Sequence, residues 1–317
     1  VEARIRTHEI ECDLTWGYLH CAPKASKLCD LQEMQEEWQN EGYRDLQLLT
    51  KAELAHKLGT KAYAGALREG WAGHFHPLDY CNGLARAASD AGAEIHEQTR
   101  VIRCDTEGEP RVWTASGQVK AAYLIIACNA YVDRLVNKLY YAMMPVTSFV
   151  AATERLGAER ARSLIRDNEA VADTNWVVDY FRRTGDDRLL FGGRASYSKL
   201  EPADLKASMK SRLKRIFPQL TDIGIEYAWG GWIAITYNRL PDMGRIGNST
   251  YYAHGYSGQG VALANLYGML MAEIIRGQSE RFDLLARFRH LPFPGGHLRL
   301  PILVAAMAWY RLKDALA

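Results

Sequence analysis

The dinucleotide fingerprint G-x-G-x-x-G is missing from all 317 residues of this chain. Where Gly258-Gln259-Gly260 comes near it, the third glycine position falls on Leu263, and no acidic residue at the required offset repairs the pattern. Taken alone, these residues do not hold a pyrophosphate in the usual way. Cysteine is sparse: positions 12, 21, 29, 81, 104 and 128 carry it, with no C-x-x-C pair. That argues against a disulfide framework and a zinc site, and suits reduced thiols in a cytoplasmic protein. No signal peptide is visible, and no apolar run reaches the roughly 18 residues of a membrane-span candidate. The longest, Ile302 to Tyr310, stops at Arg311 and reads as a docked C-terminal helix. Charge excess is also lacking. Thirty-nine basic against 37 acidic residues leave +2, which argues against a nucleic-acid partner held by general electrostatics.

What is present is an ordinary globular composition, 48% hydrophobic and 24% charged, long enough for two domains. The chain opens at Val1 inside a helical pattern, as expected of the remainder of a longer protein. Ile10–Thr15 and Gly17–Ala22 read as strands, and 24–40 as a helix burying Leu28, Leu31, Met34 and Trp38. Thr50 and Glu53 have the spacing of a capping box. Pro77 suits the first turn of a helix that ends at Gly92. Alternation over Glu94–Cys104 predicts a strand, then a hairpin, then the buried strand 122–127. Strands are further expected at 146–153, 176–183, 188–194 and 225–236, with a helix over 202–217.

The segment Tyr251 to Leu263 is the most informative. A short apolar strand runs into a loop with three glycines that opens directly into a long helix. Glycine lets the backbone turn sharply and keeps side chains out of the way. The first free N–H groups of the helix would then face an anionic or electron-accepting partner. A tight strand-to-helix turn without a ligand is the plainer alternative.

Glu94–Val101, Tyr123–Tyr131, Trp229–Thr236, Arg239–Gly244 and His254–Leu263 follow one another at suitable spacing. Together they resemble the FAD-dependent amine and amino-acid oxidase family, most like its gamma-glutamylputrescine-oxidising branch. Gly73–Leu78, Arg188–Gly193, Phe217–Leu220 and Pro292–Gly296 extend the match over nearly the whole chain. The resemblance implies an α/β protein. Its FAD-binding (glutathione-reductase-like) domain, at 74–137 and 241–283, would lack the first βαβ unit. An α+β substrate domain with a large antiparallel sheet, at 10–73 and 138–240, would interleave with it, and 284–317 would form a C-terminal tail helix.

By the same resemblance Gly255, Ser257, Gly258, Gln259, Gly260 and Val261 would face the pyrimidine end of the flavin, where a helix start stabilises the charge of the reduced ring. Val101 would contact the adenine through its backbone, and Ala127 would let a strand end approach the nucleotide. Each has a plain structural alternative as a strand or turn residue. Trp232, Tyr256 and His74 are candidates for the substrate pocket, with Trp176, Tyr180 and Tyr197 as further aromatic walls. His74-Phe75-His76 lacks a third ligand, so no metal is expected; entry into the following helix is its alternative role.

Departures from the family narrow the substrate. Members acting on free α-amino acids grip the carboxylate with arginines at positions matching Gly231–Ala234 and the Gly258 loop, and neither carries arginine here. A buried carboxylate without a cation is costly, so an amine whose reacting carbon bears no carboxylate fits better. Gly231 stands where sarcosine-type members attach flavin through cysteine, so FAD is expected to be non-covalent there. The expected reaction is oxidative deamination of a neutral primary amine with molecular oxygen, giving aldehyde, ammonia and hydrogen peroxide. No side-chain base is assigned. Alternatives are an amine dehydrogenase with another substrate or acceptor, and a non-catalytic remnant or interaction module. These residues alone are expected to bind FAD poorly.

Overall fold

A computed structural model describes residues 1–175, 178–196, 202–294 and 296–299, together with 301, 302, 304, 305 and 309. Helix α1 (Glu2–Thr7) precedes strand β1 (Thr15–Ala22), and α2 (Leu28–Asn40) leads to β2 (Leu46–Thr50). Then come α3 (Lys51–Lys57), β3 (Gly65–His74) and α4 (Pro77–Asp90). The Thr50–Glu53 capping box forms in both directions. Pro77 occupies the first turn of α4, and the side chain of His76 accepts the Asp79 N–H at 3.3 Å. Gly92, at φ +91°, turns the chain off that helix.

Three short strands make a small antiparallel sheet: β4 (Arg103–Asp105), β5 (Arg111–Trp113) and β6 (Gln118–Lys120). They are followed by β7 (Leu124–Ile126), α5 (Asn137–Ala142), β8 (Met143–Thr153) and α6 (Ala158–Leu164). Next are β9 (Ala170–Asp173), β10 (Tyr180–Arg183), β11 (Leu189–Ser196), α7 (Leu205–Ile216) and β12 (Ile225–Thr236). β13 (Asp242–Ile246), β14 (Thr250–His254), α8 (Gly260–Ile275) and α9 (Glu280–Leu285) close the order.

The large sheet has the order β12-β8-β11-β10-β9-β1-β3-β2. It is antiparallel except where β1 runs parallel to β9, so it is mixed rather than wholly antiparallel. Its main core joins Phe149, Phe181 and Phe191 to Met209, Leu213 and Phe217 from the α7 region. A second sheet, β13-β14-β7, packs Met243 and Tyr251 against Tyr267, Leu270 and Met271 of α8 and Phe282 of α9. A third cluster bridges the two sheets: Ile126, Ala130, Met143, Ala234 and Tyr252. The tail touches the body at Arg299, which donates to the carbonyls of Tyr140 (2.6 Å) and Met143 (3.2 Å).

Two expected strands differ. Residues 10–14 are not extended as a strand, because Glu9 and Asp13 take positive φ (48° and 52°) and break the run. Over 94–102 the alternation is real, yet no strand forms until Arg103. A strand needs a neighbour to take its backbone hydrogen bonds. Among the described residues no backbone hydrogen bond joins 94–101 to another strand; pairing begins with Ile102 and Arg103 on Trp113.

Candidate functional site

The loop between β14 and α8 is built from left-handed backbone. Gly255 has φ +70°, Ser257 +52° and Gly258 +102°. Each reverses the local direction of the chain, and such φ is inexpensive chiefly for glycine. Gly255 is required twice over, because a Cβ there would lie 2.4 Å from Cγ2 of Thr236. A Cβ at Gly258 would meet nothing within 4 Å, so that position faces open space.

Two strand ends clamp the loop. From the end of β7, Asn129 accepts the Gly255 N–H on its Oδ1 at 3.0 Å. From the end of β12, the Ala234 carbonyl accepts the Ser257 N–H at 2.9 Å. Ser257 Oγ accepts the Thr236 N–H at 3.3 Å and donates to the Gly255 carbonyl at 3.2 Å. Beneath the loop, Nε2 of buried His254 lies 2.9 Å from Oδ2 of buried Asp242.

The helix mouth itself is open. No side chain caps α8, and among the described residues no protein acceptor meets the amides of Gly260, Val261 and Ala262. Gly258, Gln259 and Ala262 are exposed, and Val261 is 56% exposed. α8 is apolar on nearly every side, yet Ala264 and Gly268 are also exposed. Helices of that composition are ordinarily buried. Free amides and the helix dipole place about half a positive charge beside this uncovered apolar face. The combination suits a flat ring system that gains electrons.

The candidate residues do not all converge. Ala127 is exposed at the end of β7, two residues before Asn129, and so borders the loop. Val101 lies half-buried in the unpaired segment, with no hydrogen bond joining it to the loop. The Tyr256 ring turns inward, 5.8 Å from the Tyr267 ring, and burial followed by Tyr267 raises its hydroxyl to about 12. It packs the core under α8. Trp232 stacks on Tyr131 at 5.3 Å and 18°, and its backbone N–H donates to the Tyr131 hydroxyl at 3.1 Å.

His74 sits at the end of β3 with Nε2 2.7 Å from the Asn168 carbonyl oxygen. Burial lowers its pKa, and the nearby Arg182 and Arg183 add to that. No hydrogen bond links it to the glycine loop. Tyr180 is a sheet residue within 3.2 Å of Ser148 Oγ. Trp176 and Tyr197 lie outside the described residues. Asn129 and Tyr131 are the pair that sequence reasoning did not single out; Asn at a strand end, tolerant of left-handed backbone (φ +47°), was the available signal.

Residues 1–274 match the family model described as FAD dependent oxidoreductase. The chain belongs to that family. Among curated relatives of this FAD-dependent oxidoreductase, gamma-glutamylputrescine oxidoreductase of Escherichia coli (strain K12) is 39% identical over 318 residues, covering 100% of this chain and 75% of that protein. A probable oxidoreductase, OrdL, of Haemophilus influenzae is 39% identical over 304 residues, 94% of this chain and 70% of its own length. Among solved structures, glycine oxidase from Geobacillus kaustophilus superimposes with a TM-score of 0.79 at 23% identity, covering 92% and 79% of the two chains. L-proline dehydrogenase from P. horikoshii gives 0.75 at 22%, covering 88% and 77%.

The cofactor of the family is FAD, and the geometry at Gly258–Ala262 fits its ring end: free amides, open space at Gly258 and an uncovered apolar flank. Among the described residues no helix is long and apolar enough to cross a membrane.

Proposed function

We propose that this FAD-dependent oxidoreductase deaminates a primary amine resembling gamma-glutamylputrescine. FAD, held without a covalent bond, supplies the two-electron acceptor: the amine carbon gives up a hydride equivalent, the imine hydrolyses to aldehyde and ammonia, and oxygen takes the electrons as hydrogen peroxide. The amides of Gly260, Val261 and Ala262 would hold the ring end of the flavin and would offset the negative charge it gains on reduction, in a geometry fixed beforehand by Asn129, Ala234 and Thr236. Gly231 leaves the space beside Tyr131 Oη open, where a bulkier side chain would intrude. Stacked Trp232 and Tyr131 supply an apolar wall for the carbon chain. We further propose a division of the chain into a flavin-holding part at 74–137 and 241–283, a substrate part at 10–73 and 138–240, and a tail, a reading supported by the separation of the large sheet from the two smaller ones. The six cysteines are unpaired, which suits the cytoplasm.

The observation that carries this reading is the uncapped mouth of α8 beside glycine-rich, exposed backbone. The test is a peroxide assay over an amine panel, on protein expressed from its natural gene and supplied with FAD. Peroxide is expected with gamma-glutamylputrescine and not with glycine or sarcosine. No peroxide with any amine, or glycine as the preferred substrate, would overturn it. Reduction of an artificial acceptor without peroxide would assign a dehydrogenase instead.

A further inference from the structure

At the edge of the large sheet opposite β12, the end of α2 and strand β3 build a second pocket. α2 stops in a Schellman turn: the Gly42 N–H donates to the Gln39 carbonyl (3.0 Å) and the Tyr43 N–H to the Trp38 carbonyl (2.9 Å), with Gly42 at φ +93°. That motif brings the residue after the glycine back onto the last helical turn, so the Tyr43 and Trp38 rings lie 6.0 Å apart. Glu69 and Trp71 alternate on β3 and therefore point the same way. Trp71 meets Tyr43 at 4.7 Å. Arg68, the residue before Glu69, faces the other side of the strand and is held by Glu169 at 2.7 Å.

The result is a cleft of about 310 Å³ lined by Trp38, Glu41, Gly42, Tyr43, Glu69 and Trp71. Three aromatic rings and two carboxylates line it, with no cation. Glu69 forms its inner wall, its side chain only 15% exposed. Tyr43 Oη donates to Oε1 at 2.7 Å, and His20 Nε2 lies 3.0 Å from Oε2. Burial alone would raise the Glu69 carboxyl; the hydrogen bonds from His20 and Tyr43 outweigh it and hold the group below its ordinary range. The wall is therefore anionic at neutral pH. Trp71, at the mouth, remains 56% exposed.

We propose that this cleft is a binding site for an organic ammonium ion, separate from the flavin loop. The negative faces of aromatic rings attract a desolvated cation, and alkylammonium ions combine that charge with apolar surface that the rings can cover. A bare metal ion fits less well, because both Glu69 oxygens already have partners and, apart from Glu41, the lining offers mainly aromatic rings rather than the several oxygen ligands such an ion needs. An anion would meet two carboxylates. A neutral apolar ligand would leave the buried charge of Glu69 without a partner beyond Tyr43 and His20. The proposal does not depend on the oxidase reading, since none of these residues borders Gly255–Gly260.

Choline and its uncharged carbon isostere, 3,3-dimethyl-1-butanol, separate charge recognition from simple apolar binding. In calorimetric titration of the protein at constant ionic strength, choline is expected to bind saturably and the alcohol at least about tenfold more weakly. Trp71→Ala and Glu69→Gln should each weaken choline by about tenfold, and Trp71→Phe should fall between wild type and Trp71→Ala. An unchanged thermal midpoint in Trp71→Phe guards against misfolding. Equal binding of both probes, binding of neither, or choline affinity indifferent to Trp71 and Glu69 would overturn the assignment.

Discussion

Asn129 accepts the backbone N–H of Gly255 on its side-chain carbonyl at 3.0 Å, joining two strand ends 126 residues apart in sequence. Gly255 is buried, so this amide has no solvent to fall back on. Asn129→Ala strands the donor and puts alanine at φ +47°. A loss of about 1–3 kcal/mol is expected by urea denaturation, with FAD affinity falling alongside. Asn129→Asp keeps the acceptor and should cost less. Equal stability of Asn129→Ala and wild type would remove the clamp from the account.

Gly255 and Gly258 should respond differently to alanine. Both require positive φ, but only Gly255 adds the 2.4 Å clash with Thr236 Cγ2. Gly258→Ala should cost about 1–2 kcal/mol for backbone strain. Gly255→Ala should cost about 3 kcal/mol or more, combining that strain with overpacking. Thr236→Ser removes the offending methyl and should recover part of the Gly255→Ala loss while doing nothing for Gly258→Ala. A double-mutant cycle reads the coupling directly.

Asp173 provides a pH signature. Burial raises its carboxyl to about 6, against the opposing hydrogen bonds from the Asn175 and Asp179 amides, at 3.1 Å each. The folded pKa lies above the unfolded value, so the native state holds the extra proton in the window between. Stability from this group is full below about pH 4, falls as pH rises toward 6, and is flat above. The span corresponds to roughly 3 kcal/mol. Asp173→Asn should flatten that part of the stability curve relative to wild type. Thermal midpoints from pH 4 to 7 for both proteins are the check, and parallel curves would contradict the assignment.

Much of this structure is legible in the chain because local chemistry decides it. The Thr50–Glu53 box, Pro77 and Gly92, and the glycine loop into α8 are set by residues within a few positions of each other. Segment 94–102 has the right alternation and still forms no strand, because strand formation is a property of a pair. The parallel β1–β9 pairing and the stack of Tyr131 on Trp232 are likewise long-range, and no spacing announces them. Tyr256 illustrates the remaining gap. Its place in the glycine loop suggested a pocket wall, whereas its ring packs against Tyr267, a contact 11 residues away that no local pattern announces.

The open amides of α8 are proposed to receive the electron-rich end of the flavin. Val261, exposed in the first turn, allows a test that separates this from folding. An acidic residue there is favourable to the helix itself, by about 0.3–1 kcal/mol. Val261→Asp should therefore leave the thermal midpoint of the flavin-free protein unchanged or raised, weaken FAD by about tenfold, and lower the flavin midpoint potential. Full-affinity FAD with an unaltered potential in Val261→Asp would contradict the account.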